Sequence, residues 1–339
     1  MDLGIFDHLD HRDVPLHEFY ESRLRLLEKY DAAGFAAYHL AEHHATPLGM
    51  APSPSVFLSA VAQRTRRIRL GPLVYLLPLY SPLRLIGEIC MLDHLSGGRL
   101  ELGVGRGVSP YEVGYHGFDP GRTRAMFQEA LAVILAGMTS PRLTHRGEHY
   151  RYDDVPMELA PLQKPYPPLC YATSNVESVQ WAAAQGMHLA GLGPAAAYRP
   201  FVETYRAAWT AHRNDPGRLN AHVATPRIGI NRQVVIADTD AEAEAIARAV
   251  HPRWAASFVK LWAEHGDTAV QHRVNIDGAL QHETILTGSP ARVRDQVARL
   301  IQETGVNYVI CCFAWGDLTL AQSLRSLRLF AEGVMPKFS

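Results

Sequence analysis

The densest chemistry in the chain sits in Ala41-Glu42-His43-His44, a carboxylate followed by two imidazoles. Imidazoles titrate near neutral pH and can move protons, and a carboxylate nearby can decide which ring nitrogen holds one. The stretch follows the short apolar run of residues 34–40. It precedes Ala45-Thr-Pro-Leu-Gly-Met-Ala-Pro-Ser-Pro54, which is rich in turn formers. A buried strand therefore ends here and a loop begins. In βα-repeat proteins that edge is where reacting groups collect. Side chains alternate along a strand, so His43 and His44 leave it on opposite faces. At most one looks inward, unless the loop re-aims the other.

Two other patterns compete for attention. Gly103-Val-Gly-Arg-Gly107 could form a backbone cradle for a phosphate or a flavin edge, with Arg106 as charged donor. A Rossmann fingerprint requires G-x-G-x-x-G opening a helix. Here the third glycine comes one residue early, and Pro110 is expected to interrupt the helix. His8 and Asp10 form His-x-Asp, which could begin a metal-dependent hydrolase site with His43 or His44 as a further ligand. The later strand ends offer little to complete it. They read Ala190-Gly-Leu-Gly193 and Ile236-Ala237, with only Asp317 near the last, so no metal is expected. No G-x-S-x-G elbow for a serine nucleophile occurs.

The elements that must position these residues follow a βα rhythm. Residues 3–6, 35–40, 68–77 and 99–104 read as strands. Helical periods occupy 18–33, 54–64 and 82–94, with Gly34 at the expected C-cap of the first. A helix is expected over 122–137, then a hairpin-like excursion over 144–168. Strands at 169–173, 187–192, 228–237 and 306–313 alternate with further helices. The polar stretch from about 254 to 284 reads as a second insertion. This predicts a (β/α)8 barrel with insertions after strands four and seven, as a single domain over 1–339. A doubly wound open sheet is the alternative.

Totals narrow the partners. The 339 residues carry 33 basic and 34 acidic side chains, a net charge of −1, which argues against a nucleic-acid groove or a polybasic membrane contact. No apolar run approaches the ~20 residues a membrane helix needs. The acidic start does not read as a signal peptide. Cys90, Cys170, Cys311 and Cys312 have no zinc spacing, so a reduced, cytoplasmic protein is expected.

Several separated motifs resemble the bacterial luciferase family, flavin-dependent monooxygenases on a (β/α)8 barrel. They are Gly34-Phe35 with Ala41-Glu42-His43-His44, Ile68-Arg-Leu-Gly71, Leu92-Asp93-His-Leu-Ser96-Gly-Gly-Arg99, and Gly103-Val-Gly-Arg106-Gly107. The resemblance continues through Arg124, Ala172-Thr-Ser-Asn-Val-Glu-Ser178 and Gly305. It implies that His43 is an acid/base beside the flavin C4a–N5 edge and that Glu112 is an acidic residue near the isoalloxazine. Arg106 and Arg124 would grip the FMN phosphate, with Asn175 and Ser178 in the loop whose backbone N–H groups complete that site. Leu73-Val74 would form a non-proline cis peptide behind the ring, and Val108 would join the cofactor contacts. The implied reaction uses reduced FMN from a separate flavin reductase, O2 and a small organic substrate, in a homodimer. The same superfamily holds deazaflavin (F420) oxidoreductases, which transfer hydride without O2, and a flavin-binding protein without catalysis is a further alternative. One departure stands out. The luciferase cysteine beside the phosphate arginine is Gly105 here, which weakens the implication of light emission.

Overall fold

Apolar runs bounded by turn formers become strands, and the helical periods between them pack outside. The computed structural model describes residues 1–10, 13–173 and 175–338. Ser174, part of the loop motif above, lies outside these. In chain order the first half holds β1 (Asp2–Asp7), α1 (Leu16–Ala33), β2 (Ala37–Leu40), α2 (Pro54–Arg64), β3 (Arg69–Pro72), β4 (Tyr75–Leu76), α3 (Pro82–Leu95) and β5 (Leu102–Gly105). Then come α4 (Pro110–Tyr115), α5 (Thr123–Thr139), the hairpin strands β6 (Arg142–Arg146) and β7 (Arg151–Pro156), β8 (Leu169–Ala172) and α6 (Val176–Ala184). The chain continues with β9 (His188–Gly191), α7 (Ala195–His212), β10 (Ile228–Ile236), α8 (Asp240–Glu264) and α9 (Ile276–Gln281). It ends with β11 (Ile285–Gly288), α10 (Pro290–Thr304), β12 (Tyr308–Cys312) and α11 (Leu320–Gly333).

One ten-stranded sheet runs in the order β3-β2-β1-β12-β10-β9-β8-β5-β4, with β11 added to β10. Its strand pairs are parallel. A bridge from Leu70 to Leu100 joins β3 to the run entering β5 and closes the order on itself. The result is the expected parallel barrel wrapped by helices, not an open sheet. The excursion after the fourth barrel strand is α4, α5 and the antiparallel hairpin β6–β7.

The Leu73–Val74 peptide is cis, as the family resemblance implies, and the third strand is two pieces, β3 and β4, on either side of it. Three details differ from the sequence expectation. Pro110 opens a helix instead of interrupting one. It sits in the first turn of α4, where a missing N–H matters least, and Ser109 Oγ accepts the Glu112 N–H. The stretch 285–288 is a strand, β11. It pairs with the upper half of β10, Gln233 to Ile236, while the lower half pairs with β9 and β12. The insertion expected from about 254 begins as unbroken α8, which runs to Glu264.

The barrel interior is filled from both ends by different chemistry. Tyr308 occupies the axis: a Cβ at Gly4 would lie 1.8 Å from its hydroxyl oxygen, so only glycine fits β1 there. Tyr308 packs in one cluster with Leu73, Cys170, Ala190 and Ile310, with Phe6 and Val74 against them. Below it, at the strand N-termini, Glu101 accepts from Arg227 and Arg69, each at 2.7 Å. A cavity of about 390 Å³ opens to this lower side, lined by Asp2, Arg69, Glu101, His188 and Arg227 among others. The four cysteines are free and buried. Among the described residues no helix is long and apolar enough to cross a membrane.

Candidate active site

The exit of β2 sorts its side chains by alternation. His39 points inward, its Nε2 2.8 Å from the Tyr308 hydroxyl, while Tyr38 and Leu40 join the core cluster that includes buried helix residues. Continuing the alternation, His43 turns inward, its ring 5.7 Å from that of His8. Glu42 and His44 turn the other way. Glu42 Oε2 accepts the Leu76 N–H (3.0 Å) and the Tyr80 hydroxyl (2.9 Å), and Glu42 Oε1 lies 2.9 Å from His44 Nε2. Burial pushes the Glu42 carboxyl above its usual range, against the pull of His44, the Leu76 N–H and Tyr80.

Glu112 is brought to the same place by the short helix α4 and is 1% exposed. Its Oε1 accepts the His44 N–H at 2.7 Å and lies 3.1 Å from His43 Nδ1. An oxygen that already accepts one N–H is an acceptor for the next, so His43 donates through Nδ1–H and Nε2 is the ring nitrogen left for a ligand. His116, at the end of α4, meets the His44 ring edge-on at 4.5 Å, and burial together with His44 lowers its pKa. His8 stays neutral: burial, helped by His43, pushes it down to about 3.

Next to this pair is an apolar wall. Leu73, 9% exposed, and the half-buried Val74 flank the cis bond. Gly105 fits around that wall, since a Cβ there would lie 2.4 Å from Val74 Cγ2. The luciferase-type cysteine therefore could not occupy position 105 unless Val74 moved. Val108, 69% exposed, lies on the loop between β5 and α4.

The positively charged end lies over β5 and β8. Arg106 and Arg124 are exposed and make no ion pair or hydrogen bond among the described residues. Their charges reach the Tyr171 phenol, to which Ser178 also hydrogen-bonds. Burial raises the Tyr171 pKa, and these three partners oppose the rise. Asn175 caps α6, its side chain accepting the Ser178 N–H at 3.0 Å. That N–H is thus occupied, and the Val176 and Glu177 N–H groups of the first turn are the ones left to meet an anion.

The residues suit a flavin. Two unpaired guanidiniums beside a helix N-terminus want an anion, the wall wants a flat apolar ring, and the inward histidine sits between wall and solvent. Tyr171 and His116 were missed as site members, while Glu42 belongs to the motif singled out at the start. Tyr171 sat in an apolar strand with nothing in its spacing to mark it. His8 and Asp10 diverge: Asp10 Oδ2 accepts the Gly316 N–H at 3.0 Å. Among the described residues no three His, Cys, Asp or Glu side chains gather as metal ligands.

A rim able to seat a flat apolar ring with an anionic tail defines a flavin- or deazaflavin-dependent barrel enzyme. The whole chain then narrows the class. Residues 1–308 match the family described as luciferase-like monooxygenase, and the chain belongs to that family. It is 41% identical to the uncharacterized protein y4wF of Sinorhizobium fredii (strain NBRC 101917 / NGR234), over 98% of this chain and 96% of that protein. The solved monooxygenase RslO1 from Streptomyces bottropensis superposes with a TM-score of 0.88 at 25% identity, covering 100% of both chains. The oxygenating constituent of 3,6-diketocamphane monooxygenase from Pseudomonas putida, solved with FMN, shares the fold. Its TM-score is 0.83 at 21% identity, over 100% of this chain and 99% of that one. F420-dependent enzymes share the fold too. The family and the parallel barrel expected from the motifs are both present.

Proposed function

We propose that this protein is the oxygenase component of a two-component system, in which a separate flavin reductase delivers reduced FMN and a small organic substrate is oxidised with O2. The observation that carries the reading is the inward His43 held by Glu112 at 3.1 Å beside the Leu73–Val74 wall. Reduced FMN, when bound, supplies the electrons and the atom at which O2 reacts. Arg106 and Arg124 would hold its phosphate together with the free Val176 and Glu177 N–H groups of the α6 first turn, which Asn175 shapes by capping the Ser178 N–H. Leu73 and Val74 back its ring, and Val108 covers the rim beside Arg106. His43 accepts a proton at Nε2 and returns it, and Glu112 keeps the Nδ1–H tautomer in place throughout. That the oxygenating constituent sharing this fold was solved with FMN favours FMN as the cofactor. The proposal includes a cytoplasmic homodimer, which sedimentation of the purified protein checks.

The experiment is a titration of the purified protein with FMNH2 and with reduced F420, followed by a single-turnover oxidation with the tighter binder. FMNH2 is expected to bind more tightly and to support O2-dependent oxidation. Preference for reduced F420 would transfer the site to hydride chemistry, the reading favoured by the F420-dependent enzymes on this fold.

A further inference from the structure

The mouth of the barrel has a roof, and the side chains beneath it indicate what the space admits. Helix α8 leaves the end of β10 and passes over the rim. Thr46, in the loop after β2, donates its hydroxyl to Ser257 O at 3.0 Å. At the far end Tyr111 of α4 donates to Asp267 Oδ2 at 2.9 Å and stacks on His265 at 4.1 Å. Trp262 meets the same Tyr111 ring edge-on at 6.0 Å. These two anchor elements carry His43 and Glu112, so the helix between the anchors lies over that pair.

At about 100° per residue, Val250, Trp254, Phe258 and Leu261 fall on one arc of the helix. Val250 and Leu261 are 5% and 2% exposed, as an inward arc requires. Trp254 and Phe258, on the same arc, are only half-buried. Trp254 packs by part of its ring on the buried cluster of Val235, Val250, Cys312 and Trp315, and the solvent access that it and Phe258 keep on an inward arc points to a chamber beneath the helix. Trp254 and Phe258 lie 5.2 Å apart at 26°, and Phe258 and Trp262 lie 6.4 Å apart at 13°. The roof therefore presents three nearly parallel ring planes in steps along the helix.

Across the chamber, β10 contributes amides. Asn231 and Gln233 share a strand face with Gly229, where a Cβ would approach Tyr308 and Ile310 within the barrel. Asn231 is also in register with Ile310. Both residues are half-buried. Neither side-chain amide has a hydrogen-bond partner among the described residues. His8 Nδ1, on the same interior, has none either.

We propose that this chamber is the substrate site and that it takes a planar aromatic compound bearing hydroxyl, carbonyl or ring-nitrogen substituents. The ring lies against Trp254, Phe258 and Trp262, and the substituents bond to Asn231 and Gln233. Aromatic pairs contribute beyond the area they bury. A purely aliphatic chain would desolvate both amides and leave them unpaired, which a site built with polar groups penalises strongly. The assignment of the chamber to substrate rests on the oxygenase reading, but its ligand preference can be measured without turnover.

The test is isothermal titration of the full chain, with and without FMN, using 2,6-dihydroxynaphthalene and 1-decanol. The dihydroxynaphthalene is expected to bind about tenfold more tightly or better. Phe258→Leu, which keeps apolar volume, should weaken it about tenfold and leave 1-decanol unchanged. Gln233→Leu, at an accessible position, should weaken the dihydroxynaphthalene about tenfold or more and improve 1-decanol. Failure of the dihydroxynaphthalene to bind, binding no tighter than 1-decanol, or indifference to both substitutions overturns the proposal. FMN affinity, read on the same samples, separates the two readings. Lost FMN binding with the aromatic preference intact counts against the flavin assignment and leaves the chamber standing.

Discussion

The two ends of the barrel hold similar residue types and use them in opposite ways. At the strand N-termini, Glu101 is saturated by Arg227 and Arg69, Arg227 also reaches Asp2 at 2.7 Å, and His39 is paired with Tyr308. Burial alone would raise the Glu101 carboxyl, but Arg227, His188, His39 and Arg69 outweigh it and hold it down at about 2. At the strand C-termini, among the described residues, Arg106 and Arg124 make no ion pair and Asp10 Oδ1 has no partner; His8 Nδ1 has none either, as His39 Nδ1 has none at the other end. Burial raises Asp10 to about 6, against Ser257, the Gly316 N–H and Arg23, with Asp7 adding to the rise. An end that satisfies its charges internally serves the fold, and one that leaves them open serves a ligand.

The largest expected effect belongs to the open end. His43→Ala should lower single-turnover oxidation by ~10²–10⁴ while leaving FMNH2 affinity and the melting temperature near their original values. A variant oxidising at the original rate would move the proton-transfer role to another residue. His44→Ala should cost less, because its imidazole lies on the opposite face and only its N–H touches Glu112.

At the closed end, Glu101→Gln should destabilise the protein by about 3 kcal/mol in urea unfolding. This is the low end for breaking a buried pair, since Arg227 keeps Asp2. Activity per folded molecule should not change. The pH dependence has a definite sign. The folded carboxyl, at about 2, lies below its ordinary 4.5, so its stabilisation is present above 4.5 and is lost as pH falls through about 2. The Gln variant should lack that acid slope.

Arg106→Ala should weaken FMN binding by about 1.5–3 kcal/mol, the range for a hydrogen bond to a charged partner. Stability should hardly change, because among the described residues this side chain makes no hydrogen bond or ion pair. Equal FMN affinity in mutant and parent would place the phosphate elsewhere.

The smallest effect should come from Asp10→Asn, and its sign is the reverse of that at Glu101. Asp10 folded holds its proton up to about 6, above the ordinary 3.8. Its contribution therefore favours the fold increasingly as pH drops from about 6 toward 3.8, and opposes it above 6. Asn should flatten the melting-temperature profile across that window and raise it at pH 8. A profile identical to the parent's would mean that Asp10 titrates normally.

The barrel was legible because its strands are apolar runs between turn formers and its helices keep a 3.6-residue period. The cis bond in the third strand was not legible from residues 68–77, where Gly71-Pro72 marks an irregularity but not its kind. It was expected only through the family resemblance. Pro110 was misread because proline terminates helices in their interior yet suits their first turn, and only the capping by Ser109 decides between the two. β11 was hidden by its four-residue length between helices. Within the site, His43 and His44 were separable by alternation alone. That Glu112 joins them from 69 residues away depends on how α4 docks. The roof left a readable trace in the spacing of Trp254, Phe258 and Trp262, but its position over the mouth depends on contacts with Thr46 and Tyr111.

Gly316, in the turn after β12, gives the roof a consequence of its own. Its φ is 55°, and a Cβ there would fall 2.2 Å from Val250 O, one turn before Trp254 on α8. The absence of a single methyl group thus sets the ceiling height above the histidine. Relatives could resize the room for bulkier or slimmer guests by changing this one hinge stone, leaving every residue of the proton-handling floor untouched.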